Sequence, residues 1–144
     1  MQQRISFVTL AVADLGRSRG FYVDGLGWRP ELEVAGEVVM FAAGETLVLS
    51  LWDRAAFETE VGGRTVEGPG LLPFTLSHNV ETPALVDEVL DLARAAGAGV
   101  GEAADREWGG RSGYFADPDG IRWEVAWNPG PIGRRVVPGT LPRG

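Results

Sequence analysis

The chain has 144 residues with no cysteine, no lysine and a single histidine. Those counts exclude a thiol nucleophile, a disulfide, a thiolate metal site, a Schiff base and the lysine of a phosphate-binding loop. Against twenty carboxylates the thirteen arginines leave a formal charge of −7, the wrong sign for a nucleic-acid backbone, and no basic stripe offsets it. An apolar content of 44% is ordinary for a globular chain, and the length suits one domain with its own core. The apolar run at residues 7–13 meets Asp14 at once, and no stretch approaches the roughly 18 apolar residues that span a bilayer. The expectation is a soluble, cytoplasmic protein with neither nucleic acid nor membrane as a partner.

Residues 5–12 are apolar and β-branched and read as a strand. Asp14 then stands as the N-cap of a helix over 15–26, with Phe21, Tyr22 and Leu26 on one stripe. Three strand-like runs follow at 28–35, 37–43 and 46–52, with Gly36 and Gly44 at the turns between them. Residues 53–72 are polar and glycine-bearing, with Glu58, Glu60 and Glu67, and read as a solvated connection or a lid.

The first pattern then returns. A strand over 74–80 precedes a helix opened by Thr82-Pro83, whose apolar stripe is Val86, Val89, Leu90 and Ala93. A weak strand at 98–103, a clearer one at 112–116 and a strong one at 122–127 follow, the last two joined by the turn Asp117-Pro118-Asp119-Gly120. The tail 130–144, with its prolines and glycines, reads as irregular. The chain is thus predicted as α+β, a duplication of βαβββ over about 4–53 and 73–129 within one domain at 1–129, its mixed sheet curled around a cavity. Aligning Leu49-Ser50-Leu51-Trp52-Asp53 with Glu124-Val125-Ala126-Trp127-Asn128 superposes the two tryptophans, and Phe7 and Thr75 each stand five residues before a closing valine, Val12 and Val80.

Three segments carry a family resemblance. They are Arg4-Ile5-Ser6-Phe7-Val8-Thr9-Leu10-Ala11-Val12-Ala13-Asp14, Phe21-Tyr22 followed by Gly25-Leu26-Gly27-Trp28, and Gly113-Tyr114-Phe115-Ala116-Asp117-Pro118-Asp119-Gly120-Ile121-Arg122-Trp123-Glu124-Val125. Over residues 4–129 the chain resembles the vicinal oxygen chelate superfamily, which includes glyoxalase I, extradiol dioxygenases and bleomycin-binding resistance proteins. In the metal enzymes of that superfamily each half supplies a ligand from its first strand and one from its last. The resemblance places those four positions on Phe7, Leu49, Thr75 and Glu124, of which only Glu124 binds a divalent metal strongly.

The resemblance therefore implies a cavity without a metal or other cofactor, taking a small hydrophobic or aromatic molecule, in a chain that pairs as a homodimer. Strand parity assigns Phe7, Thr9, Ala11, Leu47, Leu49, Leu51, Thr75, Ser77 and Glu124 to the cavity. Glu124 reads either as a catalytic base or cation anchor, or as a carboxylate paired with Arg111 or Arg122. His78 is out of phase with Thr75 and faces away. Trp108, in a glycine-flanked loop, either stacks on a flat ligand or packs at a dimer interface. Tyr114 either donates to a ligand oxygen or finds a backbone partner. Trp52 and Trp127 are assigned to the core beneath the helices. The alternative function is a metal-dependent lyase, isomerase or dioxygenase using Glu124.

Overall fold

A computed structural model describes residues 1–3, 5–66, 68, 70–72 and 74–137. Arg4, Glu67, Pro69, Pro73 and the part of the expected tail from 138 to 144 lie outside the described residues. The fold is mixed α+β with two mixed sheets, and neither closes into a barrel. The chain divides into two compact units, Met1–Gly70 and Leu71–Gly144.

In the first unit β1 (Phe7–Val12) leads into α1 (Leu15–Gly20), followed by β2 (Leu32–Val34), β3 (Val38–Ala42) and β4 (Val48–Asp53). The strand order is β1-β4-β3-β2, with β1 parallel to β4 and the rest antiparallel. The Asp14 side chain caps α1 by accepting from the Arg17 amide at 2.9 Å. The predicted 15–26 helix changes character midway. Beyond Gly20 it continues as a π-helical turn, Phe21–Gly25, that buries Phe21 and Tyr22. Tyr22 and Trp28 pack on Phe41 with ring centroids 5.8 and 5.4 Å apart. This identifies the helix-covered face of the sheet, because register puts Leu49 and Val8 on the same side as Phe41.

The second unit repeats the scheme as β5 (Leu76–Asn79), α3 (Pro83–Ala95), β6 (Gly99–Val100), β7 (Ala104–Asp105), β8 (Arg111–Ala116) and β9 (Arg122–Trp127). Its order β5-β9-β8-β6, again with first and last strands parallel, matches that of the first unit, and β7 pairs with β8. Val86, Leu90 and Ala93 of α3 are buried, as their spacing predicts. Leu90 reaches so close to Gly113 that a Cβ there would lie 2.5 Å from its Cδ1, so α3 covers the face bearing Gly113, Val125 and Trp123. Arg111 locks the same face, donating to both oxygens of Asp87 on α3 at 3.0 and 2.8 Å.

Two corrections concern segments expected to be irregular. The connection at 53–72 contains α2 (Arg54–Val61), capped by Asp53, whose side chain accepts from the Ala56 amide. The tail contains α4 (Pro131–Val136), opened by proline at its first position, with Gly133 and Val137 buried. Neither segment has enough apolar periodicity to show in the sequence, and both are held by tertiary contacts described below. No helix among the described residues is long and apolar enough to cross a membrane.

Candidate functional site

On β9, alternation sends Val125 under α3 and Glu124 and Ala126 to the opposite face. The parallel register with β5 sets Ser77 directly beside Glu124 and Asn79 beside Ala126, and the antiparallel register with β8 sets Tyr114 on Glu124's other flank. Both neighbours donate to the carboxylate. Ser77 Oγ bonds Oε2 at 3.2 Å, and the Tyr114 hydroxyl bonds Oε1 at 3.1 Å. One proton donor on each oxygen fixes the plane of the carboxylate and leaves each oxygen further lone pairs. Desolvation first, and then the negative charge of Glu124, push the Tyr114 phenol above its ordinary pKa, so it stays protonated and remains a donor.

Glu124 has no arginine partner among the described residues. Arg111 is held by Asp87 and Asp105, and Arg122, on the same strand, makes no ion pair with Glu124. The reading of Glu124 as half of an arginine salt bridge is thereby excluded. For Tyr114 the structure gives a partner the sequence reading did not name, the carboxylate itself in place of a ligand or the backbone.

Glu124 opens onto a pocket of about 460 Å³ lying wholly within the second unit. Asn79, Ala126 and Asn128 extend its floor, and Trp108 forms one wall. The indole is seated by Gly110. A Cβ at that position would come within 1.7 Å of Trp108 Cζ3 and 2.3 Å of the Trp127 carbonyl, so only glycine lets the ring lie against the backbone there. Trp108 is nevertheless 50% exposed, with indole surface left free toward the pocket.

The opposite wall is α4, through Ile132 and Val136, both largely exposed. Its position follows from another close approach. A Cβ on Gly133 would sit 2.3 Å from both Cβ and the carbonyl oxygen of Asn128, so the helix rests directly on that residue. The Asn128 side chain in turn accepts from the Gly130 amide at 2.8 Å and shapes the turn into α4.

The structure therefore brings Glu124 and Trp108 together at the pocket, with Ser77 and Tyr114 bonded to the same carboxylate. Asn79, Asn128, Ile132, Gly133 and Val136 are additional site residues that the sequence reading missed. The available signals were the alternation that puts Asn79 in phase with Ser77, and Gly130-Pro131 followed by Ile132 and Val136 four residues apart.

The candidates in the first unit fare differently. Leu49 and Leu51 are 3% and 0% exposed and lie on the helix-covered face with Val8, Leu10 and Phe41; they are core, not site. Phe7 and Thr9 lie on the other face, Phe7 more than half exposed. The error came from superposing the two tryptophans. Thr9 and Ser77 stand two residues after Phe7 and Thr75, and register pairs Thr9 with Ser50 and Ser77 with Glu124. Ser50, not Leu49, is the counterpart of Glu124, and a slip of one residue moves every side chain to the opposite face.

Trp52 accordingly lies on the Ser50 face, against Phe57 of α2 with ring centroids 6.3 Å apart, and not beneath α1. Trp127 does share the α3 face with Arg111. The Ser50 hydroxyl and the Trp52 indole N–H are buried and have no hydrogen-bond partner among the described residues. In the second unit Thr75 precedes β5 and is exposed, and Ser77 is the residue beside Glu124. His78 pairs with Val125 on the α3 face, away from Glu124, and its pKa is lowered by partial desolvation although the residue is exposed overall.

The metal enzymes of the superfamily draw on four ligand positions, whereas the Glu124 carboxylate here stands among neutral donors. Glu124 is accompanied by hydroxyls and carboxamides, and no three of His, Asp or Glu come together among the described residues.

A model of the glyoxalase/bleomycin resistance protein/dioxygenase superfamily matches residues 4–125. A glyoxalase-related enzyme from Fulvimarina pelagi is 33% identical, with 89% of this chain and 90% of that one covered and a TM-score of 0.81. A glyoxalase/bleomycin resistance protein/dioxygenase from Nocardioides is 26% identical over 90% of this chain and 89% of its own, with a TM-score of 0.75. A lactoylglutathione lyase from Agrobacterium tumefaciens, 24% identical over 88% and 94% with a TM-score of 0.68, shares the fold. No curated protein matches the chain.

Proposed function

Since the chain belongs to the glyoxalase/bleomycin resistance protein/dioxygenase superfamily, we propose that it is a metal-independent binder of a small aromatic or hydrophobic organic molecule, held in the pocket of the second unit. The observation that supports this reading is the arrangement around Glu124. One oriented carboxylate, with a hydroxyl donor on each oxygen, opens onto a space walled by an immobilised indole and the apolar side of α4. Polar groups that fix orientation, Glu124, Asn79 and Asn128, set beside the apolar surfaces of Trp108, Ile132 and Val136 suit a small organic molecule with both an apolar body and a polar handle.

The test has two arms. Protein purified without chelator is analysed for metals, and a neutral aromatic probe, 2-naphthamide, is titrated while the Trp108 indole N–H is followed by ¹H–¹⁵N correlation. We expect substoichiometric metal, a saturable shift at Trp108, and calorimetric binding of the same probe that is lost in Trp108→Ala. One equivalent of nickel, zinc or iron that is lost in Glu124→Gln would replace this reading with a metal-dependent lyase, isomerase or dioxygenase.

A further inference from the structure

We propose that the ligand of this pocket is a planar aromatic cation, an aromatic ring carrying an amidinium, guanidinium or protonated amino group; this rests on the binding reading above and names its chemical class. The Glu124 charge has no arginine partner among the described residues, and its two protein contacts come from neutral hydroxyls. Those hydroxyls take one lone pair on each oxygen and leave the others for a donor from outside the protein. Arg122, in phase with Glu124 on β9, makes no ion pair with it, and the two arginines of the β7–β8 segment are engaged by other groups. Arg106 donates to the hydroxyl and the carbonyl of Ser112, and Arg111 to Asp87 and Asp105. A carboxylate lining a pocket without its own counter-ion selects a ligand that brings the positive charge.

Trp108 sets the shape. Its ring is already fixed against the Gly110 backbone, so stacking a flat ligand on the exposed indole requires little further ordering. The same surface attracts a cation through the indole quadrupole. Trp108 and Glu124 line one pocket and both reward a positive, planar group. Asn79 lies on the same strand face as Ser77 and also lines the pocket, offering a carboxamide oxygen to a second N–H of a forked cation. The chain's formal charge of −7 adds long-range attraction of the same sign.

The experiment uses one ring system in three charge states: 2-naphthamidine, 2-naphthamide and 2-naphthoate. Affinities are measured by calorimetry, and the Trp108 indole N–H resonance reports whether each binds at this site. The expected result is that the amidine binds at least tenfold tighter than the amide and the naphthoate weakest. In Glu124→Gln the amidine advantage over the amide disappears, and in Glu124→Asp it is reduced but retained. The thermal unfolding temperature of both variants reports whether they fold. Equal affinities for amidine and amide, both shifting Trp108, would overturn the cation and leave the pocket reading intact. Absence of a Trp108 shift with all three would overturn the pocket reading and this inference with it. If only naphthoate binds, the polarity assigned to the site is wrong.

Discussion

Ser77 sits directly across the parallel β5–β9 pairing from Glu124, and its hydroxyl holds Oε2 at 3.2 Å while Tyr114, from the other side, holds Oε1 at 3.1 Å. The three side chains come from three adjacent strands, so their spacing is set by the sheet ladder. Removing either donor leaves the carboxylate in place but less constrained. A hydrogen bond of this kind contributes about 0.5–1.5 kcal/mol, so Ser77→Ala and Tyr114→Phe should each weaken binding of a cationic aromatic probe by roughly two- to tenfold. Calorimetry on the two variants and their combination checks this. An unchanged affinity in the double variant would show that orientation of Glu124 does not matter.

Tyr114 carries a second prediction. Its pKa is raised by desolvation and by the charge of Glu124. Neutralising that charge in Glu124→Gln removes one of the penalties on the phenolate, so the Tyr114 titration should move down while staying above the ordinary tyrosine value of about 10, because desolvation persists. Selective ¹³Cζ tyrosine labelling resolves Tyr114 from Tyr22, the other tyrosine of the chain. A titration that does not move would mean the two groups do not interact in solution.

Gly110→Ala should dislodge Trp108. The added methyl would fall within 1.7 Å of the indole and 2.3 Å of the Trp127 carbonyl, and the backbone oxygen cannot give way as a flexible side chain would. Overpacking of this kind destabilises by about 1–3 kcal/mol, visible in thermal unfolding. The Trp108 indole resonance should move even where the variant remains folded at low temperature, and affinity for aromatic probes should fall with it.

How far the site was legible in the sequence follows from how each residue is held. The segment running from the Asp117–Gly120 turn into β9 carried the family resemblance that singled out Glu124 and Thr75, and alternation along the neighbouring strand then added Ser77. The α3 stripe was equally plain, because thirteen residues provide several turns of period. Helices α2 and α4 span eight and six residues, too few for a period to show. They depend on Phe57 meeting Trp52 and Gly133 meeting Asn128, contacts that a linear pattern does not display. On β4 the coincidence of two tryptophans outweighed a register that only the paired strands reveal. That single offset placed Leu49 and Leu51 in the site.

The correction is itself testable. Leu51 is fully buried under α1, so Leu51→Ala should destabilise the fold by about 2–5 kcal/mol as a cavity-forming core change. At a temperature where the variant is still folded, probe affinity at Trp108 should be close to that of the parent chain. A direct contribution of Leu51 to the ligand would instead appear as lost affinity in folded protein.

The Asp87–Arg111 clamp between α3 and β8 gives a pH dependence. The Arg111 guanidinium hydrogen-bonds Asp87 and holds its carboxyl below the usual range. A folded-state pKa below the unfolded value contributes stability that is present above the unfolded pKa and lost as pH falls through the folded one. The stability difference between the parent and Asp87→Asn should therefore be constant from pH 7 to about 5 and shrink below about 4. Denaturant unfolding across that range measures it, and added salt should reduce the difference, since Asp87 is half exposed.

The superfamily match ends at residue 125, yet Ala126, Asn128, Ile132, Gly133 and Val136 all line the pocket beyond it. The anchor, Glu124, belongs to the shared scaffold, while a whole wall is contributed by a short helix that the sheet does not need in order to pair its strands. Substitutions in α4 can therefore change which molecules fit without touching the ladder that builds the carboxylate. On the proposed reading the ladder of β5, β9 and β8 sets the carboxylate and α4 sets what fits beside it, so the two can vary independently.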